Sequence, residues 1–197
     1  KLNQIVKINK NGEAKINIDW QDYGFYDSVY KNLFRRYNQK RREMIINQII
    51  NRSFSGAELV DYKLRGVEGL EDRFSMDINI NSNNYLQKMG NIYALKPIKL
   101  PLNLHQLGEL EDREQALYLG ATMKFKRNIE IDLGENFRVD YLPEDKKMKN
   151  DIGILSVNYT KNKNKVNIDM NLTINKREIQ SEDYKKAKEL FQLLKEV

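Results

Sequence analysis

Apolar and polar residues alternate from Leu2 to Asn9 and again from Ala14 to Trp20, in LNQIVKINKNGEAKINIDW. A period of two predicts two strands with one buried face each. Asn11-Gly12 lies between them, and both residues tolerate positive φ, so the pair predicts a tight β-hairpin. Gly24 ends the alternation. From Phe25 to about Arg52 the apolar period becomes that of a helix: Tyr26, Val29, Tyr30, Leu33, Phe34, Tyr37, Met44, Ile45 and Ile49 share one face, which Arg41 and Gln48 interrupt. Asp27 suits the positive end of the helix dipole, and Ser53 with Gly56 marks a stop. The expected element is one long helix of roughly 40 Å at about 1.5 Å per residue.

Strand-like runs return at Ala57 to Leu64 and Arg73 to Asn81, on either side of the loop RGVEGLED. Tyr85 to Leu95 reads as a further strand, and the two prolines of KPIKLP stop regular pairing. LNLHQLGELEDREQAL fits helix or loop equally. Four runs follow, MKFKRNIEIDL, FRVDYLP, ILSVNYT and KVNIDMNLTIN, and they read as an antiparallel meander with a turn over Lys161 to Lys165. SEDYKKAKELFQLLKEV closes as an amphipathic helix, with Ser181 as N-cap and Tyr184, Ala187, Leu190, Phe191 and Leu194 on the buried face.

Strands that do not alternate regularly with helices favour an α+β fold over a doubly wound one. The expected architecture is an antiparallel β-sheet, with a β-sandwich as the alternative closure. One long amphipathic helix (about 25–52) packs on it, and a short helix (about 181–196) ends the chain. The expected division is a single β-rich domain, 1–197, or two subdomains at 1–104 and 105–197.

Composition then narrows the function. Hydrophobic residues at 40% and aromatic residues at 10% belong to a chain that folds around a core. No apolar run reaches the ~18 residues of a membrane span. With no cysteine there is no disulfide, thiolate metal site or cysteine nucleophile, although the compartment stays open. Three Asn-x-Ser/Thr matches, at Asn51, Asn158 and Asn171, are what an Asn-rich chain gives by chance. The chain begins at Lys1 inside a strand-like run, which suggests a piece of a longer protein whose targeting signal is not in hand.

The formal charge is +6, and five of its cations, Arg35, Arg36, Lys40, Arg41 and Arg42, lie within the eight residues RRYNQKRR; the rest of the chain is nearly neutral. On one long helix Arg35, Arg36, Lys40 and Arg42 would point away from the apolar stripe, and Tyr37 would be buried. Such a stripe is one footprint of nucleic-acid binding. A solvated outer helix face is the commoner meaning, because long basic stems also cover apolar surface.

Catalytic machinery is sparse. The single histidine, His105, has no nucleophile and orienting acid in a recognisable motif around it. The acidic runs ELEDRE (109–114) and PEDKKMKND (143–151) lack the calcium-loop pattern and read as solvated turns. No Gly-rich loop opens a helix with phosphate-cradling spacing. No catalytic residue, metal site or cofactor is expected. Paired carboxylates brought together by the fold would be the one route left to an enzyme.

LEDREQALYLGATMKFKRNIEIDLGENFRVDYLPED joins a long strand, IEIDL, through the turn GEN to FRVDYLP. ILSVNYTKNKNKVNIDMNLTINKREIQSEDYKKAKELFQLL adds a strand pair and an acid-tyrosine pair, Asp183-Tyr184, opening a last helix; INKNGEAKINIDWQDYGFYDSVYKNLFRR is strand, turn, strand, glycine, helix. Together these passages resemble the noncatalytic C-terminal tail of large exported bacterial proteins of the transglutaminase/protease-like superfamily. Those proteins also carry an N-terminal domain of unknown function. The resemblance implies that the Cys-His-Asp machinery belongs to a middle domain, so no catalytic residue carries over to this cysteine-free chain. It also implies a periplasmic or cell-surface location and an upstream transglutaminase-like domain as partner.

The leading expectation is therefore a noncatalytic accessory or interaction domain that packs on that domain or holds a protein or cell-envelope ligand. Nucleic-acid binding through 35–42 is the alternative, with Arg35, Arg36, Lys40 and Arg42 as the candidate surface. A carbohydrate or peptide module is a third reading, resting on 11 tyrosines and Trp20.

Overall fold

The computed structural model describes residues 1–54, 56–69, 72–95 and 104–196. β1 (Leu2–Ile8) and β2 (Ala14–Gln21) come first, then α1 (Phe25–Arg35) and α2 (Gln39–Ser53). β3 (Ala57–Arg65), β4 (Ser75–Ser82), β5 (Leu86–Met89) and β6 (Ile92–Leu95) follow. A 3₁₀ turn at Leu104–Gly108 precedes β7 (Leu117–Tyr118), β8 (Met123–Asp132), β9 (Lys146–Lys149), β10 (Gly153–Asn162), β11 (Lys165–Ile174) and β12 (Glu178–Ile179). A second 3₁₀ turn, Ser181–Asp183, leads into α3 (Tyr184–Leu193), and a third, Leu194–Glu196, follows it.

The protein is mixed α and β, with most of its regular structure in strands. The large antiparallel sheet has the order β3-β4-β2-β1-β8-β11-β10-β9, and β5–β6 and β7–β12 form separate two-stranded pairs. The chain divides into two compact units: Lys1–Lys99 with Asn128–Asp140 and Lys161–Asn167, and Leu100–Arg127 with Tyr141–Thr160 and Ile168–Val197.

In the first unit the Asn-Gly hairpin forms with Leu2 opposite Trp20 and Ile8 opposite Ala14. Its turn is closed by the side chain of Asn9, whose Oδ1 accepts the N–H groups of Asn11 and Glu13, while Gly12 takes a φ of 81°. One sheet face carries the core: Val6, Ile16, Ile18, Trp20, Met76, Ile78 and Ile80 are buried. Each such large side chain removed from water contributes about 1.5–3 kcal/mol before ordering costs are subtracted. Rings tie α1 to this face: Trp20 meets Tyr30 edge-on at 5.0 Å, and Phe34 stacks on Phe74 at 5.6 Å.

In the second unit α3 buries Tyr184, Ala187, Leu190 and Phe191, the face its sequence period predicts, with Leu194 buried just beyond it. Leu104, Leu117, Met123, Ile152, Leu155, Val157, Met170, Leu172, Ile174 and Ile179 are also buried in that unit.

Five expectations are corrected. The long helix over 25–52 is two helices, and the break falls in the basic stretch. Asn38 leaves helical geometry at φ −70°, ψ 171°, and its Oδ1 accepts the Arg41 N–H at 3.0 Å, so it caps a new helix. The new helix has a different phase: Ile46 and Ile50 are buried, whereas Ile45 and Ile49 are half-buried and Met44 is exposed. Tyr37, expected inside, is 37% exposed in the connection.

FRVDYLP is not a strand. Its alternation is real, with Phe137 and Val139 half-buried, but side chains hold the segment: Phe137 meets Tyr93 edge-on at 5.1 Å, and Lys161 Nζ donates to the Val139 carbonyl at 2.8 Å. The strand lies instead at Lys146–Lys149, inside a run read as a solvated turn. Ser181 does not cap α3, since it lies within the 3₁₀ turn and makes no side-chain cap bond. The expected stop at KPIKLP, residues 96–101, lies outside the described residues.

Candidate functional site

The basic stretch 35–42 is an elbow between two helices. α1 ends there because its last carbonyls find other donors: the Arg42 guanidinium Nε donates to the Phe34 carbonyl at 2.7 Å, and the Tyr37 N–H reaches the same oxygen at 3.4 Å. α2 starts because Asn38 caps it. The same arginine reaches Glu68 at 3.3 Å, and Arg35 donates through Nε and a terminal nitrogen to the Val67 carbonyl at 3.1 and 3.0 Å. Arg41 lies over the Tyr37 ring at 5.7 Å.

The four candidate cations thus divide. Arg35 and Arg42 are anchors that fasten the elbow to the 67–68 loop, while Arg36 and Lys40 are exposed. Glu68 is largely exposed, so its ion pair with Arg42 adds little beyond geometry. The first turn of α2 contains no acid and carries Lys40, Arg41 and Arg42 against the positive end of the helix dipole. That local repulsion would be relieved by an anion or by another protein's acids.

Beside the elbow lies a polar cluster that sequence reasoning missed. Asp27 accepts the Phe74 N–H at 2.6 Å and pairs with Lys31 at 2.9 Å, both side chains being largely withdrawn from water. Burial pushes the Asp27 carboxyl up, but the Phe74 N–H, the Lys31 ammonium and Arg73 outweigh it and hold the group below its ordinary value. The i, i+4 spacing of Asp27 and Lys31 was the available signal. Nearby, burial is the main force raising the Asp22 carboxyl, and burial followed by the charge of Asp22 pushes the Tyr30 phenol up to about 12. Trp20 bonds to that acid, and Tyr26 and Tyr30 both feel its charge.

A second surface is the β5–β6 hairpin, which turns at Gly90 and pairs Leu86 with Leu95 and Met89 with Ile92. It leaves Met89 (56%), Ile92 (59%), Tyr93 and Leu95 in solvent. Other exposed rings among the described residues are Tyr23, Phe25, Tyr37, Tyr118 and Tyr141, whereas Trp20 is buried.

In the second unit the polar groups hold structure. The Tyr184 hydroxyl lies 2.9 and 3.2 Å from the carbonyls of Leu107 and Leu110, fixing the 3₁₀ turn that contains the half-buried His105. Asp183 receives Lys176 at 2.6 Å and Lys186 at 3.2 Å, and those two donors chiefly hold its carboxyl below the ordinary value. Among the described residues no three His, Asp or Glu side chains gather in a way that would hold a metal ion, and no helix is long and apolar enough to cross a membrane.

The family described as Domain of Unknown Function with solved-structure structure (DUF3858) matches residues 90–197, more than half of the chain. The chain belongs to that family. The DUF3858 match takes in α3, its buried face and the Asp183 cluster, and leaves the elbow and the Asp27 cluster outside it. No curated protein and no solved structure matches the chain.

Proposed function

We propose that the chain is a noncatalytic accessory domain of a larger exported transglutaminase-like protein, packing on that protein's enzyme-like domain or holding a partner for it. The observation that carries the reading is the β5–β6 hairpin. Single exposed apolar residues are ordinary, but Met89 and Ile92 face each other on one side of this small hairpin, both more than half exposed, and such a pair has the make-up of a protein-binding anchor. Its sequence support is the resemblance of three long passages to the tail of such proteins, which also points to the periplasm or cell surface. Asp27, Asp183 and Tyr184 are spent on internal bonds.

The test is calorimetric titration of the native chain, and of a Met89→Ser/Ile92→Ser variant, against the transglutaminase-like domain encoded in the same polypeptide. Binding that weakens about tenfold or more in the variant supports the reading, since each apolar anchor contributes on the order of 1 kcal/mol. A polypeptide without such a domain, or binding indifferent to both substitutions, overturns it.

A second reading, nucleic-acid binding, is favoured by the acid-free first turn of α2 and by the exposure of Arg36, Lys40 and Arg41. DNA and RNA titrations at two salt concentrations decide it, with Arg36→Glu/Lys40→Glu as the variant so that the anchors Arg35 and Arg42 are spared. Binding that falls steeply with salt and disappears in the variant is the expected signature. Binding without salt dependence removes this reading. Carbohydrate or peptide binding loses its tryptophan to the core, which leaves the exposed tyrosines as its support.

A further inference from the structure

The two edges of the large sheet are finished differently. β9 is four residues long and reads Lys146-Lys147-Met148-Lys149. A short lysine-rich edge repels an added strand of the same kind. β3 is nine residues long and pairs with β4 on one side; among the described residues no strand lies beyond it. Its outer N–H and C=O groups are a template for another strand.

The side chains of β3 say which strand fits. Glu58, Asp61, Lys63 and Arg65 are exposed, with the acids in the first half of the strand and the bases in the second. An antiparallel copy of the same strand lays each acidic half against a basic one. A two-fold axis normal to the sheet must pass through a residue that faces its own copy, because side chains alternate faces with a period of two. Centring on Asp61 sets carboxylate against carboxylate, and centring on Lys63 sets ammonium against ammonium. Centring on Tyr62 sets Asp61 opposite Lys63 twice.

We infer that β3 is a self-association edge through which two copies of the chain pair antiparallel about Tyr62, with Asp61 of each copy facing Lys63 of the other. One Asp61 oxygen already accepts the Asn79 side chain at 2.7 Å, which holds the carboxylate in place and leaves its second oxygen for the lysine. Arg65 is engaged by Asp77 within the same copy, so it adds no charge pair across the axis. Val60 sits at the bulge between Leu59 and Asp61 and stays outside the new ladder. The bulge confines the new ladder to the second half of the strand, and so short an interface belongs to the weak, concentration-dependent class.

Sedimentation equilibrium over a wide concentration range tests this with the native chain, Asp61→Lys, Lys63→Asp and an equimolar mixture of the two variants. The native chain should gain mass toward a dimer. Each variant alone should associate about tenfold more weakly, because both cross-axis pairs become like-charged. The mixture should recover association, since one variant carries two cations along the edge and the other two acids. A native chain that stays monomeric, association unchanged in both variants, or a mixture that does not recover each overturns the proposal. Both substituted residues are exposed, so the fold should survive, as circular dichroism can verify. If Asp61→Lys nevertheless fails to fold, hydrogen exchange of the native chain decides the matter without it. Amides within residues 61–63 must gain protection with concentration, and no gain overturns the pairing.

Discussion

Asp27 and Asp183 both stand at or next to the start of a helix and both hold lysine, yet they belong to different physical regimes. Asp27 lies in the first turn of α1, largely withdrawn from water, with one oxygen on the Phe74 N–H and the other on the nearly buried Lys31. Asp183 precedes α3 and shares two lysines, Lys176 and Lys186, at the solvent boundary. Both carboxyls are held below their ordinary value, but at Asp27 that result is a contest in which burial opposes three favourable partners. Removing one member of a withdrawn set leaves the others desolvated and unpaired, whereas removing one at the boundary returns the rest to water. The number of partners is therefore a poor guide to the stability a charge supplies; the water lost by those partners is the better one.

The sharpest break in that comparison is Asp27→Ala, which strands both Lys31 and the Phe74 N–H. It should cost about 2–3 kcal/mol in urea unfolding at pH 7. Adding Lys31→Met to it should recover part of that loss, so the pair must be non-additive in a double-mutant cycle. Strict additivity would mean that the two groups do not act as a unit.

Next in size is the response to acid. A carboxyl whose folded value is depressed stabilises the fold fully above the unfolded value near 3.9, and the contribution disappears as pH falls through the folded value. Asp22 acts in the opposite sense, because its raised value means that protonation relieves a burial cost. Stability measured downward from pH 6 should hold level or rise slightly while Asp22 protonates, then fall below about pH 4 as Asp27 does. Asp27→Asn should flatten the lower limb, and Asp22→Asn the upper one. Asp183→Asn is the smallest expected effect: at about 0.15 M salt its urea midpoint should match that of the native chain within error, since solvated pairs are screened.

The elements most legible in the sequence are those whose period and boundaries agree. The β1–β2 hairpin has strict alternation in Ala14 to Trp20 with Asn-Gly at its tip, and α3 has four buried positions at one spacing. The elbow is hidden because Tyr37, Met44 and Ile45 happen to continue the stripe of α1, so the period runs through a boundary that a single side chain decides. Asn38 is in plain view as a capping residue, but nothing local distinguishes a capping asparagine from one on a helix surface. The role of Arg42 is not legible at all: its acceptors, the Phe34 carbonyl and Glu68, are chosen by the tertiary fold. FRVDYLP shows the converse. Alternation records which side chains meet the core, and a ladder additionally needs a neighbouring strand.

Gly12 closes the first turn at a positive φ and also lies under the second hairpin, where a Cβ on it would stand 3.5 Å from Leu86 Cβ and 4.0 Å from the Tyr93 ring. An isolated two-stranded hairpin is marginal in water, so β5–β6 depends on having that surface to rest on. This sets an order of assembly, in which the exposed flap orders after the turn beneath it has closed. In a refolding experiment followed by pulsed hydrogen exchange, amides of Leu86 to Leu95 should acquire protection later than those of Lys15 to Ile18.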